Sequence, residues 1–313
     1  MEQAVLIVLN SLVYGLLLFM LSVGLTLIFG MMGVLNLAHA SFYMLGAFLA
    51  YTISIRLGFW VALLVVPVLV GILGAGVERW GLRAVHKHGH VAELLFTFGL
   101  AFIIGEVVPL IWGRNPVPYR VPAELDFALF QIGGNAYPAY RLFMMGVAIV
   151  MFLALFLALA RTRLGLVVRA ALTHPDMVGM LGHDVPKVFT LVFGAGCALA
   201  GLAGVIAGNA YTTEPGMAQS LGAIVFAVVV MGGLGSIWGA LVASLLIGFV
   251  QVGSISLDLT LGAALGRMGL AVPGTFTDLW SISIARVAPV IPYLLLVLVL
   301  AVRPRGLMGT RSA

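Results

Sequence analysis

The sequence predicts an all-α, polytopic integral membrane protein: a helical bundle of about eight or nine membrane segments, some of them broken or re-entrant. Hydrophobic residues make up 62% of the 313-residue chain and charged residues only 9%, whereas a soluble domain carries about 25% charged residues. Glycine is frequent, at 39 residues, which is typical of closely packed membrane helices. This composition excludes a soluble enzyme, a nucleic-acid-binding protein and a disordered chain, and it favours a single transmembrane domain over residues 1–313.

The membrane segments are predicted from apolar stretches, since a spanning helix needs about 20 mostly apolar residues. The first stretch is much longer than the core of a signal peptide, so we expect it to be a retained span. Two neighbouring stretches, 219–232 and 236–252, are short, and they either cross the membrane or enter it and return. The predicted segments are 5–29, 34–55, 58–77, 94–112, 141–160, 189–209, 219–232, 236–252 and 287–302.

Basic residues indicate which side of the membrane each loop faces, because Lys and Arg collect in cytoplasmic loops. With these segments, the loops 78–93 and 161–188 share one side with the C-terminal tail, and together they hold most of the 16 Lys and Arg residues. The C-terminus is therefore predicted to be cytoplasmic and the N-terminus to lie outside. On the opposite side, the loop 113–140 is rich in proline and tyrosine, which favours either an ordered cap or a plain connector with interfacial tyrosines.

Two apolar stretches are interrupted by glycine pairs, one in each half of the chain. The first interruption is FGMMGVLN at 29–36 and the second is VMGGLGS at 230–236. Irregular backbone at membrane depth is tolerated only where it is buried in protein or lines a cavity, and such breaks point to the central site of a transporter. The alternative is a tight connection between two spans. The residues predicted to line a substrate pathway are Asn36, His39, Ser41, Gly232, Gly233 and Ser236.

Ionisable groups inside the membrane are costly, so they are functional candidates. His39 follows the first break, and it either contributes to the pathway or makes a structural hydrogen bond to a neighbouring helix. Glu106 is the carboxylate of the fourth predicted segment. Because it lies near the outer end of that segment, it either serves transport, reaches the membrane interface or accepts a hydrogen bond from another helix.

Small residues recur every four positions in the predicted segment 189–209. Such a stripe lets another helix approach closely, so it predicts helix packing and does not identify a substrate. The stripe consists of Gly196, Ala200, Gly204 and Gly208.

The loop 161–188 is predicted to begin with an amphipathic helix. Apolar residues recur at helical spacing over 164–172, and Arg163 and Arg169 lie off that apolar face. The loop therefore contains ordered structure rather than a simple connection.

A second, short helix is predicted from Pro175 to Leu181. Pro175 suits the first helical position, Asp176 suits the first turn and Gly182 is a typical stop. A short exposed helix with apolar side chains fits the groove of a partner protein, or else it lies on the membrane surface. Its apolar side chains are Met177, Met180 and Leu181.

No cofactor or metal site is predicted in this chain. A P-loop needs Gly-Lys-Ser/Thr, but the two lysines, Lys87 and Lys187, follow a histidine and a proline. Any ATP-driven work therefore requires another subunit. The HKHGH run at 86–90 is a loose metal signal, and a solvated basic loop is the preferred interpretation.

Motifs spread over nearly the whole chain occur in the order seen in one known family. The first is GLTLIFGMMGVLNLAHASFYMLGAFLAY at 24–51. The others are RTRLG at 161–165, MLG at 180–182, GAGCALAGLAGVIAG at 194–208, GGLGSIWGA at 232–240 and VRPRGLMG at 302–309. Together they resemble the bacterial branched-chain amino acid ABC transporter permeases, in the subunit without a long N-terminal extension.

The resemblance implies a permease subunit of an ATP-driven importer in the bacterial inner membrane, with no enzymatic activity of its own. Its implied partners are a second related permease, two cytoplasmic ATPase subunits that bind ATP and Mg²⁺, a periplasmic solute-binding protein and membrane lipid, with no nucleic acid. Residues 175–182 would be the coupling helix. The residues implied in ATPase coupling are Arg163, Arg169, Pro175, Asp176, Met177, Met180, Leu181 and Gly182.

Branched-chain or other hydrophobic amino acids are the substrates that the resemblance implies. Urea, short amides or another small organic solute are the alternatives within related permeases. A secondary transporter driven by an ion gradient is the alternative from another class, and it would depend on Glu106 for ion coupling.

Overall fold

The structure is a computed structural model that describes residues 2–173, 175–256, 260, 262–263 and 280–309. Within these residues, eight helices are long and apolar enough to cross a membrane, and the only sheet is a two-stranded one. The predicted fold class, a polytopic helical bundle, is therefore confirmed.

The long helices follow the predicted apolar stretches, because a helix satisfies all its backbone hydrogen bonds internally, as a membrane requires. They are α1 Glu2–Met32, α2 His39–Leu57, α3 Phe59–Gly76, α5 His90–Trp112, α6 Ala139–Arg161, α9 Val185–Gly208 and α11 Ile237–Ser256. The shorter helices are α4 Arg83–His86, α7 Arg163–Thr173, α8 Pro175–Met180, α10 Met217–Gly232, α12 Ile284–Val287 and α13 Ile291–Val302. The eighth membrane-length helix, Ile284–Val302, consists of α12, a 3-10 turn and α13.

α9 lies at the centre of the bundle, where small residues let it approach α1 and α2. A Cβ added to Gly196 would lie 2.8 Å from the carbonyl oxygen of Gly24 in α1. A Cβ added to Gly204 would lie 2.3 Å from the carbonyl oxygen of Tyr43 in α2. The stripe of small residues thus lies where three helices meet. The remaining residues of the stripe, Ala200 and Gly208, are buried as well.

One end of the bundle, which we call the hairpin end, carries an ordered cap. The strands β1 (Ala128–Ile132) and β2 (Asn135–Pro138) form an antiparallel hairpin. In the same loop, the hydroxyl of Tyr119 donates a 3.1 Å hydrogen bond to the carbonyl of Val205, and burial raises the pKa of Tyr119 to about 12. The loop 113–140 is therefore an ordered cap, the first of the two interpretations of its composition.

The opposite end, which we call the tail end, holds residues 303–309. This segment lies against the turn between α10 and α11. The backbone N–H groups of Leu307 and Met308 donate to the carbonyls of Met231 and Gly232, at 2.8 and 3.0 Å. These bonds satisfy carbonyls that the end of α10 leaves without a helical partner.

The segments predicted to share one side of the membrane lie at one end of the bundle. Val168 of α7 packs against Met31 near the end of α1, and Arg83 donates a 2.8 Å hydrogen bond to the carbonyl of Pro186. Glu2, at the start of α1, lies instead beside the hairpin. The first helix therefore starts at the hairpin end, and the C-terminal segment lies at the tail end.

The predicted loop 78–93 is mostly helical, which corrects the sequence prediction. α3 continues through a π-helical segment, Val77–Leu82, into α4, so residues 87–89 alone connect it to α5. Charge can be accommodated in this helical extension because buried Glu78 pairs with Arg83 at 2.9 Å. The charged residues of this segment therefore led to a wrong prediction of a loop. In the structure the segment is helical, and two of those charges form an ion pair within it.

Candidate functional site

A cavity of about 470 Å³ lies among α1, α2, α5 and α10. Asn36, His39 and Ser41, the residues predicted from the first break, all border it. Its walls are mainly apolar, and no Asp, Glu, Lys or Arg of the described residues borders it. This is the candidate functional site.

The cavity exists because α2 begins deep inside the bundle. α1 ends at Met32, Gly33 adopts a φ of +66°, which favours glycine, and residues 33–38 are not helical. His39 Nε2, at the start of α2, donates a 2.9 Å hydrogen bond to the carbonyl of Leu21. Because a helix rises about 1.5 Å per residue, Leu21 lies about 16 Å back along α1 from its end. The first predicted break is therefore present, and it starts at the glycine with positive φ.

Thr97 of α5 holds the irregular segment 33–38 in place. Its hydroxyl accepts a 3.3 Å hydrogen bond from the backbone N–H of Leu37, and it lies 3.2 Å from the carbonyl oxygen of Leu35, to which it can donate. These bonds satisfy backbone groups that have left the helix. Sequence reasoning missed this residue, because a lone threonine in an apolar stretch commonly bonds within its own helix.

Two polar side chains at the cavity each keep one hydrogen-bonding atom without a partner among the described residues. Asn36 Oδ1 accepts a 3.1 Å hydrogen bond from the backbone N–H of Ala38, whereas its Nδ2 has no partner. His39 uses Nε2 for Leu21, whereas its Nδ1 has none. Both residues are only 2% exposed. Since buried polar atoms are normally paired, these atoms are available to a ligand or a water molecule.

Ser41 contributes differently, by linking two walls of the cavity. Its hydroxyl donates a 3.4 Å hydrogen bond to the carbonyl of Ala101. The bond connects α2 to α5 immediately below the irregular segment. Ser41 therefore helps to set the width of the cavity.

The cavity opens on a face formed by α5 and α10. Phe98 and Phe102 of α5 and Phe226 of α10 border it and are 51%, 60% and 38% exposed. Gln219 also borders it; sequence reasoning missed this amide because a single glutamine in a short helix has no diagnostic spacing. Glu106 is exposed on α5, one turn beyond Phe102, and it does not border the cavity. Aromatic walls with a few amide and imidazole groups suit a small solute that has one apolar and one polar part.

The second break lies apart from the cavity, at the tail end. Gly233 has a φ of +104°, and a Cβ on Gly232 would lie 2.5 Å from the carbonyl carbon of Gly239. Ser236 caps α11, where its hydroxyl accepts a 3.1 Å hydrogen bond from the backbone N–H of Gly239. The second break is therefore a tight connection, the alternative interpretation. It touches the first break at one point, where a Cβ on Gly30 would lie 2.8 Å from the Cα of Gly235, but Gly232, Gly233 and Ser236 do not border the cavity. Of the two helices that it joins, α10 has 16 residues and α11 has 20.

The loop 161–188 forms two helices, α7 and α8, at the tail end. α8 ends at Met180, and Gly182 follows with a φ of +86°. Val178 is 4% exposed and anchors α8 to the rest of the protein. The apolar side chains that project outward are Met177 at 63%, Met180 at 87% and Leu181 at 78% exposed.

The charged residues predicted for ATPase coupling occupy the same region. Arg163 and Arg169 are exposed on α7, and Arg169 also borders a smaller cavity of about 300 Å³. Pro175 begins α8, as its sequence position predicts. The side chains of Pro175 and Asp176, and the whole of His174, lie outside the described residues.

Two buried carboxylates at the tail end were not predicted. Glu78 pairs with Arg83, and Glu93 accepts hydrogen bonds from His86 and His90, the latter at 3.1 Å. Both carboxylates are 2% exposed. The two histidines thus face a carboxylate. In the described part of the chain, no group of three or more His, Cys, Asp or Glu residues is placed so that it could hold a metal ion. Sequence reasoning missed these pairs because burial is not visible in a polar loop.

Nearly the whole chain is similar to known transport proteins. The family described as the permease component of branched-chain amino acid transport systems matches residues 7–300. The chain is 26% identical to the high-affinity branched-chain amino acid transport system permease protein BraD of Pseudomonas aeruginosa, over 96% of this chain and 94% of that relative. It is 27% identical to the similarly described permease protein LivH of Escherichia coli, over 93% of this chain and 90% of that relative. No solved structure matches the chain significantly. The resemblance seen in the motifs is therefore confirmed, and the chain belongs to the branched-chain amino acid transport system permease family.

Proposed function

We propose that this chain is the membrane-spanning permease subunit of an ATP-driven importer. It moves branched-chain or other hydrophobic amino acids, delivered by a periplasmic solute-binding protein, across the inner membrane. The observation that carries the proposal is the cavity among α1, α2, α5 and α10 in a chain of this family. ATP and Mg²⁺ bind to partner subunits, because the sequence has no P-loop.

The chemistry of the cavity supports this substrate class. Its volume of about 470 Å³ falls in the usual range for small-molecule sites, about 300–1,000 Å³. Phe98, Phe102 and Phe226 provide apolar surface, and the polar residues Asn36 and His39 border the cavity beside each other at the start of α2. An amino acid with an apolar side chain has both parts and carries no net charge, so it needs no charged residue in the wall.

The open side of the cavity supports pairing with a second, related permease. α5 exposes Phe98 and Phe102 there, and Glu106 follows one turn later. A carboxylate that faced lipid would be costly, so we expect this face of α5 to be covered by protein. The second permease then supplies the missing wall of the translocation path. Glu106 does not border the cavity, so this placement does not favour the ion-driven alternative.

The exposed helix α8 supports contact with the ATPase subunits. Met177, Met180 and Leu181 project from the tail end while Val178 holds the helix in place. An apolar helix surface of this kind fits a groove in a partner protein. The tail end then faces the cytoplasm and the hairpin end faces the periplasm, which agrees with the distribution of basic residues.

The proposal is tested by purification followed by reconstitution. The tagged chain is extracted gently from its native membrane, and the proteins that accompany it are identified. We expect a second polytopic permease and ATPase subunits. The purified complex, placed in vesicles that contain ATP, should accumulate radiolabelled leucine only when the solute-binding protein is added outside.

Two outcomes would contradict the proposal. One is a chain recovered alone that transports solute without ATP and stops when an uncoupler is added, which would indicate an ion-driven transporter. The other is a complete complex that accumulates urea or a short amide but no hydrophobic amino acid, which would keep the importer mechanism and reject the substrate class.

A further inference from the structure

We propose that Asn36 and His39 form the subsite that holds the charged head group of the transported amino acid. Asn36 Nδ2 donates to the α-carboxylate, and His39 Nδ1 accepts from the α-ammonium group. Both atoms are buried without a partner among the described residues, and both residues border the cavity. This inference rests on the proposed function and names the side chains that recognise the substrate class.

The role of His39 follows from its one hydrogen bond. Nε2 lies 2.9 Å from the carbonyl oxygen of Leu21, and a carbonyl only accepts, so Nε2 carries the proton. A second proton on Nδ1 would create a buried charge with no counter-ion, because no carboxylate of the described residues borders the cavity. Nδ1 therefore presents a lone pair, which is an acceptor for an ammonium N–H.

The role of Asn36 follows in the same way. Its Oδ1 is already engaged by the backbone N–H of Ala38 at 3.1 Å, so the free atom is the Nδ2 amide donor. The N-terminus of α2, which has 19 residues, begins at His39, directly beyond this amide. The partial positive charge of a helix N-terminus favours an anion at that position. Asn36 and the start of α2 therefore favour a carboxylate.

The two free atoms form a complementary pair. One donates and one accepts, and they belong to residues three positions apart on either side of the start of α2. A zwitterion presents an acceptor and a donor on the same carbon atom, so one molecule can satisfy both. Its side chain then lies against the aromatic wall of Phe98, Phe102 and Phe226.

The test uses variants that keep each structural hydrogen bond and remove only the free atom. Asn36→Ser keeps a side-chain oxygen that can accept from the N–H of Ala38, as serine does in such turns, but it lacks the amide N–H donors and adds no buried charge. His39→Gln keeps a donor at the ε position for the carbonyl of Leu21 but has no acceptor at the δ position. In the complete complex with its binding protein, we expect each variant to assemble normally and to lose leucine uptake by at least about tenfold.

A second histidine variant separates recognition from folding. His39→Asn loses the bond to Leu21 but places an amide oxygen near the former Nδ1. Recognition of ammonium predicts that His39→Asn retains more uptake per assembled complex than His39→Gln. A purely structural role predicts the reverse order, and that result would overturn the inference.

Gly222→Leu is the control variant that tests whether the cavity itself is needed for transport. A Cβ on Gly222 would already lie 3.3 Å from that of Ala40, so a leucine fills the space. Blocked uptake in Gly222→Leu with normal uptake in both Asn36→Ser and His39→Gln would reject the head-group subsite and leave the proposed function intact. A wild-type complex that imports only solutes without an amino acid head group would reject both the head-group subsite and the proposed substrate class.

A photoreactive leucine with a diazirine in its side chain gives an independent readout. In the wild-type complex it should label residues of the aromatic wall, and leucine should compete. Isopentylamine, which lacks the carboxylate, and 4-methylpentanoate, which lacks the ammonium group, should each compete at least about tenfold less well. Equal competition by either analogue would show that its missing group is not recognised here, and would overturn the inference.

Discussion

Gly233, directly after α10, lies so close to Gly309 that a Cβ on Gly233 would be 2.5 Å from the Gly309 backbone nitrogen. Gly306 contacts the same turn, since its Cβ would lie 2.6 Å from the Gly233 nitrogen. The C-terminal segment is thus held by backbone against backbone. Because α10 also borders the cavity, this contact connects the tail end of the protein to the wall of the candidate site.

Replacing Gly233 by alanine should release the tail. The substitution strains a backbone with φ +104°, at about 1–3 kcal/mol, and adds a clash with the tail of about 1–3 kcal/mol. Thermal unfolding of the purified protein in detergent, together with protease sensitivity of the C-terminus, measures the effect. Gly58→Ala is the matched control, because Gly58 has φ +88° but no atom of the described residues lies within 4 Å of its Cβ position. Equal loss of stability in the two variants would contradict a tight contact.

Helix packing predicts opposite effects for two helical glycines. Gly204→Ala places a methyl group 2.3 Å from the carbonyl oxygen of Tyr43, so it should force α9 away from α2 and cost about 1–3 kcal/mol of stability. Gly146→Ala meets no atom of the described part of the chain within 4 Å, so it should stabilise α6 by up to about 1 kcal/mol through helix propensity. Unfolding temperatures in one detergent compare them. A neutral Gly204→Ala would mean that α9 and α2 are not in close contact.

The hydroxyl of Thr97 should be required for transport. Thr97→Val keeps the shape but removes the hydroxyl that links Leu35 and Leu37 to α5, at about 0.5–1.5 kcal/mol per hydrogen bond. The irregular segment should then loosen, and uptake by the assembled complex should fall several-fold, whereas Thr97→Ser should retain it. Uptake normalised to complex recovered from the membrane checks this, and wild-type uptake in Thr97→Val would show that the segment is held by other contacts.

Charge on the exposed face of α8 should uncouple transport without affecting folding. Met180 is 87% exposed and Val178 is 4% exposed on the same helix. Met180→Asp should therefore insert at normal levels and lose uptake, whereas Val178→Asp should reduce the amount of folded protein. Gly182→Pro should also abolish uptake, because proline cannot adopt the φ of +86° found there. Immunoblots of membranes and uptake assays separate the two effects, and normal uptake in Met180→Asp and Gly182→Pro would exclude a coupling role.

Much of the helical framework was predictable because the membrane imposes a simple rule. Each long apolar stretch has to bury its backbone groups in a helix, so α1, α5, α6, α9 and α11 lie close to the predicted segments. α8 was predictable for a local reason, since Pro175 and Gly182 define its start and its stop. The cavity residues Asn36, His39 and Ser41 were predictable because they follow a glycine break.

The contributions of Thr97, Gln219 and Glu78 were not predictable, because each depends on residues distant in the chain. Glu78, for example, accepts a hydrogen bond from the hydroxyl of Thr190 in α9 in addition to its pairing with Arg83. Thr97 acts on Leu35 and Leu37 through the packing of α5 against residues 33–38. Sequence periodicity indicates which face of a helix is apolar, but not which segment lies opposite it. The two glycine breaks look alike in the sequence, because the sequence does not show which segments pack against them. In the structure, the first break opens a cavity and the second is a tight turn.

The sequence by itself determined the membrane environment, the family and the residue types available for recognition, since composition and local motifs carry that information. Only the tertiary structure decided that α2 starts beside Leu21, deep in the bundle, and that one atom each of Asn36 and His39 has no partner among the residues that the structure describes. The physical reason is that a hydrogen-bonding atom becomes available to a substrate only after every other neighbour has been placed, and packing between distant helices decides those neighbours.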